Sequence, residues 1–390
     1  LGLGQSPFPV PDVVVKRLRE HAHEKDYLPV RGLRALRQAV ANYHRLRSGI
    51  ECSAQDVLIG PGSKELMFLL QLVYYGDLVI PTPSWVSYAP QARIIGRPIT
   101  WVPTRWEDDL KLLAQDLDRV CQADPSRPRI VILNYPSNPT GATYTMTELK
   151  ALARVARKYQ VVLLSDEIYA ELHHRGQHVS VARFYPEGTI ISSGLSKWCG
   201  AGGWRLGTFT FPRNLSWLLD AMAAVASETF TSTSAPIQYA AVRAFRGGIE
   251  IEEYLHEARR ILRRLGHYAW SRLTKVGAVV PRPIGAFYIF PDFSPLRESL
   301  AKRGIRTAPQ LCEALLEDTG AAVLPGSAFG RPLEELSFRL AYVDFDGARA
   351  LVAARAVGGR AEMTDAFLRT YCHNVMQGVD RIVVWLRKTG

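Results

Sequence analysis

The sequence predicts an α/β fold: a large domain with a mainly parallel sheet between layers of helices, plus a smaller α+β domain. Two observations carry this. Short apolar runs at 57–59, 78–80, 129–133, 161–164, 189–192 and 206–211 alternate with helical periodicity, and such alternation builds a parallel sheet covered on both faces. The chain, at 390 residues, also exceeds the size at which one hydrophobic core stops growing, so a second domain is expected.

Between the third and fourth runs, Leu149, Leu152, Ala153 and Ala156 recur at helical spacing, with Thr147 as the expected N-cap. The Gly60-Pro61-Gly62 turn opens an apolar helix expected from about Glu65. Beyond Thr229 a charged helical stretch, 250–275, reads as a connector. Runs at 278–280, 286–290, 321–324 and 338–343 then suggest a second, smaller sheet. The expected partition is 35–275 for the large domain, and 1–34 together with 276–390 for the small one. Neither an internal repeat nor a low-complexity segment stands out.

Composition narrows the function classes. Apolar residues at 47% and charged residues at 22% are ordinary for a globular protein. The longest apolar-rich stretch, 66–75, is far shorter than the roughly 20 residues of a membrane span. The net charge of +11 could suit a polyanion, but the arginines are scattered as singles and pairs, so nucleic acid is not the expected partner. Five widely spaced cysteines without a CxxC pair fit free thiols in a reducing, cytoplasmic compartment; a targeting segment ahead of Leu1 stays an open alternative. The pairs His21/His23 and His173/His174 lack the spacing of metal ligands, and no metal is expected.

Chemistry concentrates just after the strand ends, where open α/β sheets place their ligands. In the segment 192–207 Lys197 sits among Gly194, Ser196, Gly200, Gly202 and Gly203, with Arg205 eight positions on. A desolvated lysine amine can trap an aldehyde, and an arginine fork meets a phosphate bidentately. Ser63 and Lys64 open a helix whose free N–H groups suit an anion. Asn138 lies in a proline-restrained octapeptide, 134–141. Asp166 ends an apolar strand, where a buried carboxylate needs a cationic partner such as a pyridinium; Tyr169 follows three residues later. Each has a plainer alternative: a solvated lysine loop, a structural glycine turn, an ordinary proline loop and a carboxylate helix cap.

Taken in order, LGLGQSPFPVP, KDYLPVRGL, GPGSKEL, PTPSWVSY, NYPSNPTG, SDEIY, SKWCGAGGWRLG, GAFYIFPDFS, VLPGSAFG and FRLAYV resemble a class I/II aminotransferase of the fold-type-I pyridoxal 5′-phosphate enzymes over essentially the whole chain. The resemblance implies that family's seven-stranded-type sheet. It makes Lys197 the lysine that holds the cofactor and then shuttles the proton, and Asp166 the partner of the pyridine nitrogen. Asn138 and Tyr169 would bond the ring hydroxyl, Trp85 would stack on the ring, and Ser63, Ser196, Arg205 and Lys64 would surround the phosphate. Arg339, with Gly4 nearby, would clamp the substrate carboxylate. Tyr27 would reach the phosphate of a neighbouring subunit, which implies a homodimer with shared active sites.

There are departures. Gly194 stands where the family has serine or threonine, the family's segment ahead of LGLGQ is missing, and 353–364 reads as an insertion. The activity implied is ping-pong amino transfer between an L-amino acid and a 2-oxo acid. Lys64 points to an acidic substrate with 2-oxoglutarate as acceptor, whereas Phe8, Tyr88, Trp106 and Tyr288 leave an aromatic substrate open. A lyase or synthase on the same scaffold, or an effector-binding regulatory domain, are the alternatives.

Overall fold

The computed structural model describes residues 1–359 and 363–388. Strands β1 (Val57–Gly60), β2 (Asp77–Thr82), β3 (Ile99–Pro103), β4 (Arg129–Asn134), β5 (Val162–Asp166), β6 (Thr189–Gly194) and β7 (Gly207–Thr210) form one sheet in the order β1-β7-β6-β5-β4-β2-β3. Its core, β3-β2-β4-β5-β6, is parallel, while β7 runs antiparallel to both β6 and β1. Every residue of β5 and β6 is buried, which is why those strands read as unbroken apolar or small-residue runs. The mainly parallel sheet is as expected. The seventh strand, β3, was not among the six runs: it pairs only with β2 at the sheet edge, and its Trp101 is 38% exposed, so its hydrophobic signal is diluted.

A second sheet, antiparallel, joins β8 (Tyr288–Ile289), β9 (Leu324–Pro325) and β10 (Phe338–Ala341) in the order β8-β10-β9. The expected strand at 278–280 is absent; Val279 makes a single bridge with Asp292. The connector is the helix Ile249–Thr274, which buries Leu255, Ala258, Ile261, Leu262 and Leu265 in one apolar cluster with Phe287, Ile289, Phe338 and Leu340.

Helix ends correct the sequence reading in two places. The helix Met146–Lys158 buries Leu149, Leu152, Ala153 and Ala156, but its cap is Thr145 rather than Thr147. The Thr145 hydroxyl accepts from the Glu148 N–H and the Glu148 carboxylate accepts from the Thr145 N–H, a reciprocal box that Thr147 could not make. The helix expected from Glu65 is Ser63–Val73. Of the supposed insertion, 353–357 completes the helix Gly347–Val357, 360–362 lie outside the described residues, and Thr364 caps the helix Asp365–Tyr371. Among the described residues no helix is long and apolar enough to cross a membrane.

Candidate active site

Because β1 and β6 both oppose β7, β1 points the same way as the parallel strands, and the carboxyl ends of β1, β4, β5 and β6 share one sheet edge. Nine of the twelve sequence-predicted residues line a single cleft of about 420 Å³ there: Ser63, Lys64, Trp85, Asn138, Asp166, Tyr169, Ser196, Lys197 and Arg205. Asn134 and Ile168 complete its walls. Gly4 and Arg339 stand beside it through hydrogen bonds, and Tyr27 does not join it.

Asp166 ends β5 and is buried. Tyr88 donates to its Oδ2 at 2.6 Å and Ser192, from β6, donates to its Oδ1 at 3.2 Å. Burial still wins over these bonds and pushes the carboxyl up to about 6. Such a carboxylate gains most from a cation placed against it. Asn134 ties the neighbourhood together: its Nδ2 donates to the Asp166 carbonyl at 3.0 Å and its Oδ1 accepts from the Asn138 N–H at 2.7 Å. Sequence reasoning passed over Ser192 and Asn134 as functional residues, although Asn134 opens the singled-out octapeptide, and it weighed Tyr88 only for substrate contact, not as a partner of Asp166.

Lys197 Nζ donates to the Gly4 carbonyl at 2.6 Å and lies 5.8 Å from the centre of the Tyr169 ring. Burial first, then the Arg339 charge, lowers its amine to about 8, with Arg205 and Lys64 acting in the same sense and Asp166 opposing. Three residues before it, a Cβ on Gly194 would come 2.7 Å from the Leu206 carbonyl, so the family's side chain does not fit this β6–β7 junction.

The anion cradle forms where β7 meets the start of the helix Ser63–Val73. A Cβ on Gly207 would lie 2.2 Å from the Ser63 nitrogen, and one on Gly62 would lie 2.2 Å from Arg205 Nη2, so both glycines let backbone N–H groups and the guanidinium close on one point. Arg205 is held by the Gly202 carbonyl at 3.0 Å. Lys64 Nζ lies 5.1 Å from the Trp85 ring centre and has no carboxylate within ion-pair distance among the described residues.

Arg339, in β10, is buried between the rings of Tyr288 and Phe329, 4.7 and 5.1 Å from their centres. It donates to Asn138 Oδ1 at 3.0 Å and to the Gly2 carbonyl at 2.6 Å, while its Nε has no partner among the described residues. The backbone partner of the arginine is thus Gly2, while the Gly4 carbonyl meets Lys197. The Tyr169 hydroxyl stands 2.8 Å from that of Tyr288. Of the aromatics weighed for substrate contact, Phe8 packs on Tyr254 and Phe345 and Trp106 on Phe290, whereas Tyr88 and Tyr288 bond Asp166 and Tyr169 in the wall of the site. Tyr27 is 89% exposed.

These residues fit pyridoxal 5′-phosphate. The glycine-lined cradle suits its phosphate, the buried carboxylate its ring nitrogen, and the depressed amine its aldehyde. The family model for aminotransferase class I and II matches residues 1–354. The aspartate aminotransferase of Geobacillus stearothermophilus is 36% identical over 344 residues, covering 85% of this chain and 84% of its own. The aspartate/prephenate aminotransferase of Thermus thermophilus is 33% identical over 334 residues, covering 84% and 83%. Among solved structures, an aromatic aminotransferase from Pyrococcus horikoshii superposes with a TM-score of 0.82 at 28% identity, covering 99% of this chain and 95% of that one. The Thermus thermophilus aspartate aminotransferase with maleate gives 0.80 at 30% identity, covering 92% and 90%. The chain belongs to the class I and II aminotransferases and is a pyridoxal 5′-phosphate-dependent transaminase of fold type I.

Proposed function

We propose that the protein moves the α-amino group of an acidic L-amino acid onto 2-oxoglutarate, with Lys197 as the proton carrier. The observation that carries this is the pairing, in one cleft, of a lysine amine depressed to about 8 with a second cation, Lys64, that has no carboxylate of its own among the described residues. A substrate with two carboxylates answers both Arg339 and Lys64. The names of the relatives, aspartate and aspartate/prephenate aminotransferases, point the same way.

Bound pyridoxal 5′-phosphate supplies an electron sink for the charge left when the Cα proton departs. Asp166 keeps a proton on the ring nitrogen, and its own burial strengthens that attraction. Tyr169 donates to the ring hydroxyl. Asn138, whose Oδ1 is engaged by Arg339, has its Nδ2 left to do the same. Lys197, whose amine is lowered to about 8 so that a large share is neutral near that pH, would take the Cα proton as general base and, as general acid, deliver it to the carbon that was the coenzyme's aldehyde carbon. Arg339 exchanges the Gly2 carbonyl for the substrate α-carboxylate while its two aromatic neighbours hold its plane. Ser63, Ser196 and Arg205 take the phosphate, and Trp85 covers the ring.

Tyr27, exposed and outside its own cleft, is assigned to the phosphate site of a second copy in a homodimer. The bond from the Ala341 N–H to the Leu1 carbonyl at 2.8 Å supports grouping 1–34 with 276–390 as the small domain and 35–275 as the large one. The free thiols fit a cytoplasmic setting.

A panel of amino donors, followed by loss of the absorbance of the Lys197-bound cofactor, tests the assignment. Aspartate and glutamate are expected to react fastest. Release of pyruvate and ammonia without an oxo-acid acceptor would instead make the protein a lyase.

A further inference from the structure

A second cleft, larger than the coenzyme site, opens on the helix Ile249–Thr274. Arg260, Arg263, Arg264 and His267 recur at three- and four-residue spacing and so share one helix face. Arg175, nine residues past Asp166, and Arg282, between that helix and β8, close over the face. Backbone pairing holds these two arms side by side: the His174 N–H donates to the Ile284 carbonyl at 2.8 Å, and His173 bridges to Gly285. The cleft holds about 640 Å³, well within the range of about 300–1,000 Å³ typical of small-molecule sites. None of its lining residues lines the coenzyme cleft.

Its charge is one-sided. Among the described residues one carboxylate lines it, Asp365, and that is already paired with Arg264. Arg260 is paired with Glu257 at 2.6 Å. Arg175, Arg263 and Arg282 have no carboxylate within ion-pair distance among the described residues, and the contact of Arg282 is with the Trp270 ring, 5.5 Å from its centre. The Nε of Arg264 is shut off from solvent without an acceptor among the described residues. The field is felt by His267, whose pKa burial lowers first and Arg264 and Arg282 lower further. A concave site lined by one sign of charge focuses potential, and guanidinium forks match phosphate oxygens in pairs.

We propose that this cleft binds a small metabolite carrying at least two linked phosphate groups, at a site separate from the coenzyme. A single phosphate would engage one or two forks, whereas three guanidiniums with no carboxylate partner among the described residues, reaching in from three chain segments, suit a chain of phosphates. The confinement of the charge to a cleft favours a small ligand over a nucleic-acid backbone, which needs an extended stripe.

The test uses the pyridoxal-phosphate-loaded enzyme, so that the coenzyme's own phosphate cradle is filled. Calorimetric titration in low-salt buffer with inorganic pyrophosphate and with metal-free ATP is expected to give saturable binding at one site per chain. The double variant Arg175→Ala/Arg263→Ala should weaken it at least about tenfold, as loss of charge-assisted phosphate bonds does. Arg154→Ala, an exposed arginine on the helix Met146–Lys158, should change nothing. All three side chains replaced are exposed, and an unchanged transamination rate certifies the fold of the variants. Tighter binding of ATP assigns a nucleoside polyphosphate; equal or tighter binding of pyrophosphate assigns the diphosphate unit itself. The proposal is overturned if neither probe saturates or if the double variant binds as the wild type does, which would mean an adventitious ion only. It is equally overturned if a short DNA duplex binds more tightly than both probes and loses that affinity in the double variant.

Discussion

The hydroxyl groups of Tyr169 and Tyr288 stand 2.8 Å apart in the buried wall of the active site. Tyr288 also lies under the Arg339 guanidinium, and a Cβ on Gly4 would fall 2.1 Å from its hydroxyl oxygen. If Tyr169 donates to the cofactor's ring hydroxyl, as proposed, Tyr288 would donate to Tyr169 and strengthen that bond. Tyr288→Phe removes only the hydroxyl and keeps the ring beneath Arg339. The expected result is a rise in the pKa of the Lys197–cofactor linkage, read from its absorbance against pH, and a several-fold fall in kcat with little change in KM. A linkage pKa that does not move would reduce Tyr288 to packing.

Asp166 yields a prediction whose sign changes with the cofactor. Its folded pKa, about 6, lies above the ordinary carboxylate value, so its favourable contribution is complete at low pH and is lost as pH rises through about 6. At pH 8 the ionised group therefore costs the cofactor-free protein on the order of 3 kcal/mol. Asp166→Asn should make that form more stable than wild type above about pH 6, with the advantage gone near pH 4. With cofactor bound the order reverses, and turnover drops by at least about a hundredfold. Denaturant unfolding of both forms across pH checks it. A cofactor-free variant less stable than wild type at pH 8 would mean that the Tyr88 and Ser192 bonds outweigh burial.

Lys197 must be neutral to attack an aldehyde. With its amine near 8, the rate at which cofactor-free protein captures pyridoxal 5′-phosphate should climb about tenfold per pH unit below pH 8 and level off above it. Arg339 is the second cause of the depression after burial. In Arg339→Gln the inflection should move upward, toward the ordinary lysine value. Rapid-mixing absorbance measures both curves. An unmoved inflection would leave the depression to burial, with Arg205 and Lys64.

The sequence was most legible where chemistry sits directly on a strand end. Asn138, Asp166, Lys197 and Ser63 follow buried runs within a few residues, so local backbone direction already aims them at the sheet edge. Contacts that depend on strand order were not legible. Tyr88 meets Asp166 across 78 residues, Tyr288 meets Tyr169 across 119 and Arg339 meets Asn138 across 201, and nothing local distinguishes those tyrosines from core aromatics. The edge strand β3 escaped because its exposed residues break the apolar run; the cap at Thr145, by contrast, is spelled locally by Glu148 three residues on, a capping-box spacing that the reading of Thr147 overlooked.

The glycines of 192–207 look interchangeable in sequence, but the structure separates them. A Cβ on Gly207 would sit 2.2 Å from the Ser63 nitrogen and 2.4 Å from the Gly62 carbonyl carbon, both backbone atoms that cannot swing aside. Relief requires β7 to part from the start of the helix Ser63–Val73, the place where free N–H groups would meet the phosphate. A Cβ on Gly203, by contrast, would meet nothing within 4 Å. Gly207→Ala should therefore raise the dissociation constant for pyridoxal 5′-phosphate at least about tenfold, the loss of one or two charge-assisted bonds, while Gly203→Ala leaves it unchanged. Fluorescence titration of the cofactor-free variants measures the affinities, and their thermal unfolding controls for a general loss of fold. Equal affinities in the two variants would remove Gly207 from the cradle and return the phosphate grip to Arg205 and Ser196 alone.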